Sequence, residues 1–595
     1  MKAKLHLVLS ITIFFISFSI LGQRSYWKSI PVKSSFKSAS LKSNMDRANA
    51  VYILDKGQIL DDLLPATKTY GDKRTVYLPN GQGEVIKFEV KETSVLHPDL
   101  AKKYPGIKSF TGVSQNGQYK VKLSNSHKGM DGMLVNLKNQ RTTFIEQLSN
   151  KDDAYVVYEK GAESSGKGSF VCKTEDIQKL VAKTITPLVD DQLLRKYRIA
   201  VSASGEYTQH HGGTVADALA AINTTLTRVN EVFETDLGVT LELVPNNDLI
   251  IFTNSGTDPY NGNLNSEVQN TLTSTIGEEN YDVGHLFHKV DQGQDNGNAG
   301  FIGAVCSDNR KGSAFSAAFN PQGDVFDLDF VSHELGHQFG ANHTWSFESE
   351  GTGVQAEPAS GTTIMGYAGI VPGNDVAPNG SDYFHFYSIQ QISTYLQSVS
   401  CAEETGLTNN PPVLTPVGDY VIPKGTAFVL EGIATDSDVG DVLTYTWEQI
   451  DNGVVTTATF GPDNPSGANF RSLPPTTDPA RYFPKLSSVI QGELTQTEPG
   501  INDAWETVSN VARNFEFAFT VRDNAAGGGQ VVSDVLNVEV VSSAGPFTIT
   551  SQGTNEVYEG GSTQQVTWDV SNTNILPVNA QTVDIMLSLD GGLTF

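Results

Sequence analysis

One eleven-residue stretch restricts the fold of this chain more than any other: His333-Glu334-Leu335-Gly336-His337-Gln338-Phe339-Gly340-Ala341-Asn342-His343. On a helix His333 and His337 lie on one face, about 6 Å apart along the axis, so both rings can meet one metal ion. Gly340 can adopt a positive φ, which ends the helix and lets His343 return as a third ligand. Leu328, Val331, Leu335 and Phe339 repeat at helical spacing and should anchor the opposite face. Three neutral imidazoles suit zinc and leave a fourth corner for water, whose proton Glu334 can accept. The chemistry expected from these residues is hydrolysis.

The rest of the chain sets the context. At 595 residues it is long enough for three to five domains. Its net charge of −26 has the wrong sign for a nucleic-acid partner. That charge is unevenly spread: residues 24–194 hold 26 basic and 19 acidic side chains, residues 195–595 hold 13 and 48. Opposite signs of this kind favour docking of the first segment on the second, although two separately solvated domains would show the same counts. Lys2 and Lys4 precede an apolar run from Leu5 to Leu21, which reads as a secretory signal peptide over residues 1–22, with a retained membrane anchor as the alternative. Export, with no membrane span after signal removal, is therefore expected.

Short alternating runs such as Val85–Val90 and Ala154–Tyr158 predict a β-rich segment over residues 23–194. A polar connector, exposed enough to be cut, should reach Lys196. From Tyr197 the order β-α-β-β-α-β predicts an α/β (α+β) domain over residues 195–404. It includes a helix opened by Thr214 and Asp217, a strand at Leu249 to Phe252 and a Gly-rich strand at Ala299 to Val305. Ser388 with Gln391 reads as a capping box on a helix from Ile389 to Leu396. A linker at 405–412 should lead to an immunoglobulin-like β-sandwich at 413–543 and a second, truncated sandwich at 544–595. Asp436, Asp438 and Asp441 offer hard oxygen ligands for calcium, with ordinary polar turn residues as the other reading. His210, His211, His285, His288 and His385 are assigned no role.

The zinc motif, together with Thr363-Ile364-Met365-Gly366-Tyr367, resembles the metzincin zinc endopeptidases, and most of all their secreted reprolysin-like branch. The resemblance spans about Arg198 to Cys401. It implies that Met365 lies as an apolar floor beneath the ligand rings. It implies that Ala299 to Val305 is a sheet edge on which an extended polypeptide substrate adds as a strand. It implies a disulfide between Cys306 and Cys401, and a catalytic tyrosine at Tyr367 like that of some metzincins. A cysteine switch like that of related zymogens would have Cys172 of a propeptide at 23–194 take the fourth zinc position, with an unpaired structural thiol as the other reading. Two residues depart from the pattern: Thr344 stands where Asp follows the third His, and Thr363 where Cys precedes the Met by two.

The expected protein is a monomeric, secreted zinc endopeptidase made as a zymogen. The competing reading is a surface adhesion or carbohydrate-binding protein in which the protease-like domain is a scaffold.

Overall fold

The computed structural model describes residues 26–31, 47–65, 69–139, 141–149, 152–161, 170–175 and 189–590. The proposed signal peptide lies outside them, as does most of the connector.

The alternating runs of the N-terminal segment form a nine-stranded antiparallel sheet running from Trp27–Ile30 at one edge to Arg74–Pro79 at the other. One face closes over its own core of Trp27, Leu54, Ile59, Phe88, Phe110 and Tyr155. The other face lies on the long helix Val215–Asp236. Several ion pairs join the N-terminal segment to this helix and to residues 324–329, most of them basic from the N-terminal side: Arg47–Asp324 at 2.6 Å, Lys120–Glu231 at 2.7 Å, Lys160–Asp329 at 2.8 Å, with Glu146–Arg228 at 2.9 Å reversed. Burial alone would raise the Asp324 carboxyl, but the bond and charge of Arg47 outweigh it and hold it at about 2.

The helix Val215–Asp236 starts as its sequence requires. Thr214 Oγ1 accepts from the Asp217 amide, and Asp217 returns a bond to the Thr214 amide. It covers a mixed sheet ordered Val171–Cys172, Asn296–Asn298, Ala314–Ala318, Val283–Lys289, Leu193–Ala203, Val239–Leu243. Along this order pairing is parallel except where Asn296–Asn298 meets Ala314–Ala318, and Glu403–Gly406 adds antiparallel to the start of Leu193–Ala203. This α/β arrangement is the one expected.

Five details differ from expectation. Residues 247–250 form a 3-10 turn, because the Asn247 side chain bonds both N–H and C=O of Val201 and replaces a strand partner. The Gly-rich strand is displaced to Asn296–Asn298, since Gly300 and Gly303 take φ of 72° and 68° and break extension. The connector does not reach Lys196 as a polar loop, because strand pairing begins at Leu193. The linker is shortened because Glu403–Gly406 pairs antiparallel with Leu193–Lys196, and the Leu407 amide bonds Gln192 O. The last helix begins at Phe386, capped by His385 Nδ1 rather than by Ser388, which lies buried inside it.

Beyond the linker the chain is again β-rich. A four-stranded sheet centred on Arg513–Arg522 and Val531–Val541 faces the pair Phe428–Glu431 and Ala480–Phe483 across Trp447, Phe470, Phe515, Phe517 and Phe519. Past residue 546 the paired backbone is limited, among the described residues, to Thr548–Ile549 with Trp568–Asp569. No described helix is long and apolar enough to cross a membrane.

This β-rich region is not hung on a tether. Ile450, Ala518 and Val531 belong to the same apolar cluster as the helix Val215–Asp236. Arg522 Nε donates to Asp236 Oδ1 at 2.6 Å, and its Nη2 donates to Phe384 O, all of it buried. Arg522→Ala leaves Asp236 buried without its cation, so the full chain should lose about 3–5 kcal/mol in denaturant unfolding.

Candidate metal centre and catalytic cleft

The site is carried by a backbone that changes pitch. Residues Val325–Val331 run as a π-helix and continue into the α-helix Ser332–Gln338. Its apolar residues, including Leu328, Val331, Leu335 and Phe339, are buried in the main core, so the helix cannot roll. At Gly340 φ is 113°, and the Gly340 and Ala341 amides bond His337 O and Gly336 O. The chain then reverses and brings His343 back.

His337 Nε2 and His343 Nε2 stand 3.1 Å apart. His333, His337, His343 and Cys172 all place a ligand atom within 4.8 Å of one another, with Cys172 Sγ 3.7 Å from His337 Nε2. Nitrogens each about 2.0–2.1 Å from a tetrahedral ion lie about 3.3 Å apart, so the donor set fits zinc. The opposite ring nitrogens are all engaged: His333 Nδ1 with Ile364 O at 2.7 Å, His337 Nδ1 with Ala341 O at 2.7 Å, His343 Nδ1 with Glu350 Oε1 at 3.1 Å. Protons held there turn the Nε2 lone pairs inward.

Two glycines permit the close approaches. A Cβ on Gly336 would stand 2.5 Å from Met365 Sδ, so Met365 can pack against the helix that carries His333 and His337 only because the helix is bare there. A Cβ on Gly297 would stand 2.2 Å from Glu334 Oε1. Glu334 is fully buried, and burial raises its carboxyl to about 7, a shift moderated by bonds from Cys172 and Thr174. Thr174 Oγ1 donates to Glu334 Oε2 at 3.0 Å and accepts from the Ala299 amide at 2.8 Å. The Cys172 thiol is itself pushed up by burial and then by the Glu334 charge. Tyr367 brings its hydroxyl 2.9 Å from His343 Nε2, and burial raises it well above the usual phenol range.

The cleft is covered by the chain's own N-terminal part. Val171–Cys172 adds to Asn296–Asn298 as a parallel strand, through Val171 N to Asp295 O and Lys173 N to Gly297 O. Phe170 stacks on Phe330, centroids 3.9 Å apart, in a cavity also lined by His333, Ile364, Tyr367 and Ile370.

Cys306 and Cys401 are joined, Cα to Cα 5.8 Å, while Cys172 has no disulfide. His285 sits between Gln338 Oε1 and Ser316 Oγ, and burial lowers it to about 4, which suits a neutral structural ring. The acidic turn is rearranged: Asp436 and Asp441 gather with Asp523, whereas Asp438 accepts from the Asn410 amide. Calcium finds no support beyond that gathering of carboxylates. Sequence reading missed Thr174, Glu350 and Gly297, which lie in coil or a three-residue strand where no periodicity marks them.

Residues 194–395 match the family model described as metallo-peptidase family M12B, reprolysin-like, and the match supports a reprolysin-like metzincin metallopeptidase in this part of the chain. No curated protein matches the chain. The family is zinc-dependent, and the His/Cys cluster can hold a metal. Glu350→Gln weakens the acceptor behind His343 and should lower zinc affinity about 10–100-fold, read by chelator competition.

Proposed function

We propose that the protein is a secreted zinc endopeptidase held inactive by its own N-terminal segment. The observation that carries this reading is the convergence of His333, His337 and His343 on one point with Glu334 beside it. Bound there, zinc supplies a Lewis acid that polarises a peptide carbonyl and activates water. Glu334 takes the proton from the attacking water and returns it to the departing amine. Met365 excludes solvent from beneath the rings, and Tyr367 donates a hydrogen bond toward the carbonyl oxygen as charge develops on it. Asn296–Asn298 offers backbone N–H and C=O groups to an extended polypeptide, as it does to Val171–Cys172. The apolar surface of Phe330, Ile364 and Ile370 that Phe170 faces favours a large apolar side chain beside His333.

Latency is supported by the same geometry. The Cys172 thiol lies among the three histidines, which supports its taking the position that water needs, and Thr174 engages Glu334. The ion pairs of Arg47, Lys120 and Lys160 hold the segment in place. Residues 23–194 would then be the propeptide, and the apolar run after Lys4 the signal for export. The aromatic core between the two sheets supports an immunoglobulin-like sandwich for residues 413–543.

Two experiments test this. Glu334→Gln should keep its zinc while peptide hydrolysis by the processed enzyme falls about 10²–10⁴-fold, measured on a peptide library; undiminished turnover removes Glu334 from its role. Cys172→Ser should give the intact precursor measurable hydrolysis of a short peptide, and equal activity of the two precursors rules out the switch.

A further inference from the structure

We propose that Glu357 is the positioning residue that fixes the third imidazole against the turn carrying Met365, and that the β-rich region after the linker holds it there. His343 lies outside the helix, so no helical bond positions it. The residue after it does so through the backbone: Thr344 N donates to Met365 O at 3.3 Å, and Thr344 O accepts from the Ala356 and Glu357 amides at 3.0 and 2.9 Å. The Glu357 side chain reinforces both sides of that contact. Oε1 accepts from Thr344 Oγ1 at 2.7 Å and from Thr363 Oγ1 at 2.5 Å. Oε2 accepts from the Thr362 and Thr363 amides at 2.8 and 3.2 Å.

Glu357 is 1% exposed. A buried carboxylate is tolerated only when its oxygens are supplied with donors, and here Thr344, Thr362 and Thr363 supply them. Thr344 and Thr363 are the two positions at which the sequence departs from the reprolysin pattern. One carboxylate spans both, so the two departures form a single device that ties the third ligand to the floor of the site.

A second layer comes from far along the chain. Ser346 Oγ donates to Glu357 O at 2.6 Å, and Val455 N donates to Ser346 O at 2.9 Å. Ala359 N donates to Val455 O at 2.9 Å, and Thr362 Oγ1 to Ser472 O at 3.3 Å. Val455 thus bonds through its backbone to both segments of the loop that carries Glu357, at Ser346 and at Ala359, and its side chain is buried in a cluster with Ala359, Val376, Phe460 and Trp505. A loop of irregular backbone gains from the β-rich region the rigidity that the helix gives His333 and His337.

This inference rests on the zinc reading, and the test separates the two. The full chain is loaded with Co2+, and its visible spectrum and chelator-competition affinity are compared with those of Glu357→Gln, which puts an amide donor against the threonine N–H groups. The expected result is a shifted cobalt spectrum and about 10–100-fold weaker metal binding. Asn230→Ala removes a buried bond pair to Leu241 remote from the metal, so it should lower the unfolding midpoint and leave the cobalt spectrum unchanged. If Glu357→Gln does not fold, Thr363→Val and Thr344→Val, each lacking one donor, are read in its place and should shift the spectrum in the same direction. A wild-type spectrum and affinity in the folded variants overturns the positioning role alone. Failure of the unaltered chain to bind Co2+ overturns the zinc reading beneath it.

Discussion

The reversal of the chain at Gly340 is the constraint on which the site stands. Its φ of 113° lies where side chains are strained, and a Cβ there would also meet Tyr395 Cβ at 2.9 Å. Two imidazoles one turn apart follow from helix geometry, but the third depends on this bend delivering residue 343 to the same face. Backbone bonds from Gly340 and Ala341 back to the helix make the bend part of its end rather than a loop of free direction. The π-helical turn before the helix and the core beneath it set the starting angle.

What local pattern encodes was readable in advance. The ligand spacing, the Thr214–Asp217 box and the alternating strands of both β-rich regions all depend on neighbours within a turn or a pleat. The structure departs from local pattern where distant groups decide. The 3-10 turn at Asn247 exists because its amide reaches a strand 46 residues away. The edge strand is three residues long and is ended by glycines that look compatible with extension in isolation. Ser388 resembled a cap, yet a buried helix can begin one turn earlier on a histidine. Glu350 and Glu357 had no legible signal, since acidic residues in coil acquire meaning only from what folds against them.

The uneven charge of the chain finds a structural counterpart. Basic side chains of the N-terminal sheet meet carboxylates of the metallopeptidase domain at buried positions, where desolvation offsets much of the attraction. Such pairs give orientation more than net stability. They align the sheet so that a two-residue strand, with Phe170 on one side and Thr174 on the other, falls across the cleft.

The hold of Val455 on the loop bearing Glu357 bears on how such a protein can diversify. Regions joined end to end can be exchanged by recombination, because neither keeps a memory of the other. Here the β-rich region and the loop bearing Glu357 share backbone bonds, so a foreign region in its place would meet an unmatched partner. Residues 344–359 and 452–472 should therefore descend together as one heritable unit, and lineages that shed the tail would need a different solution for seating the third histidine.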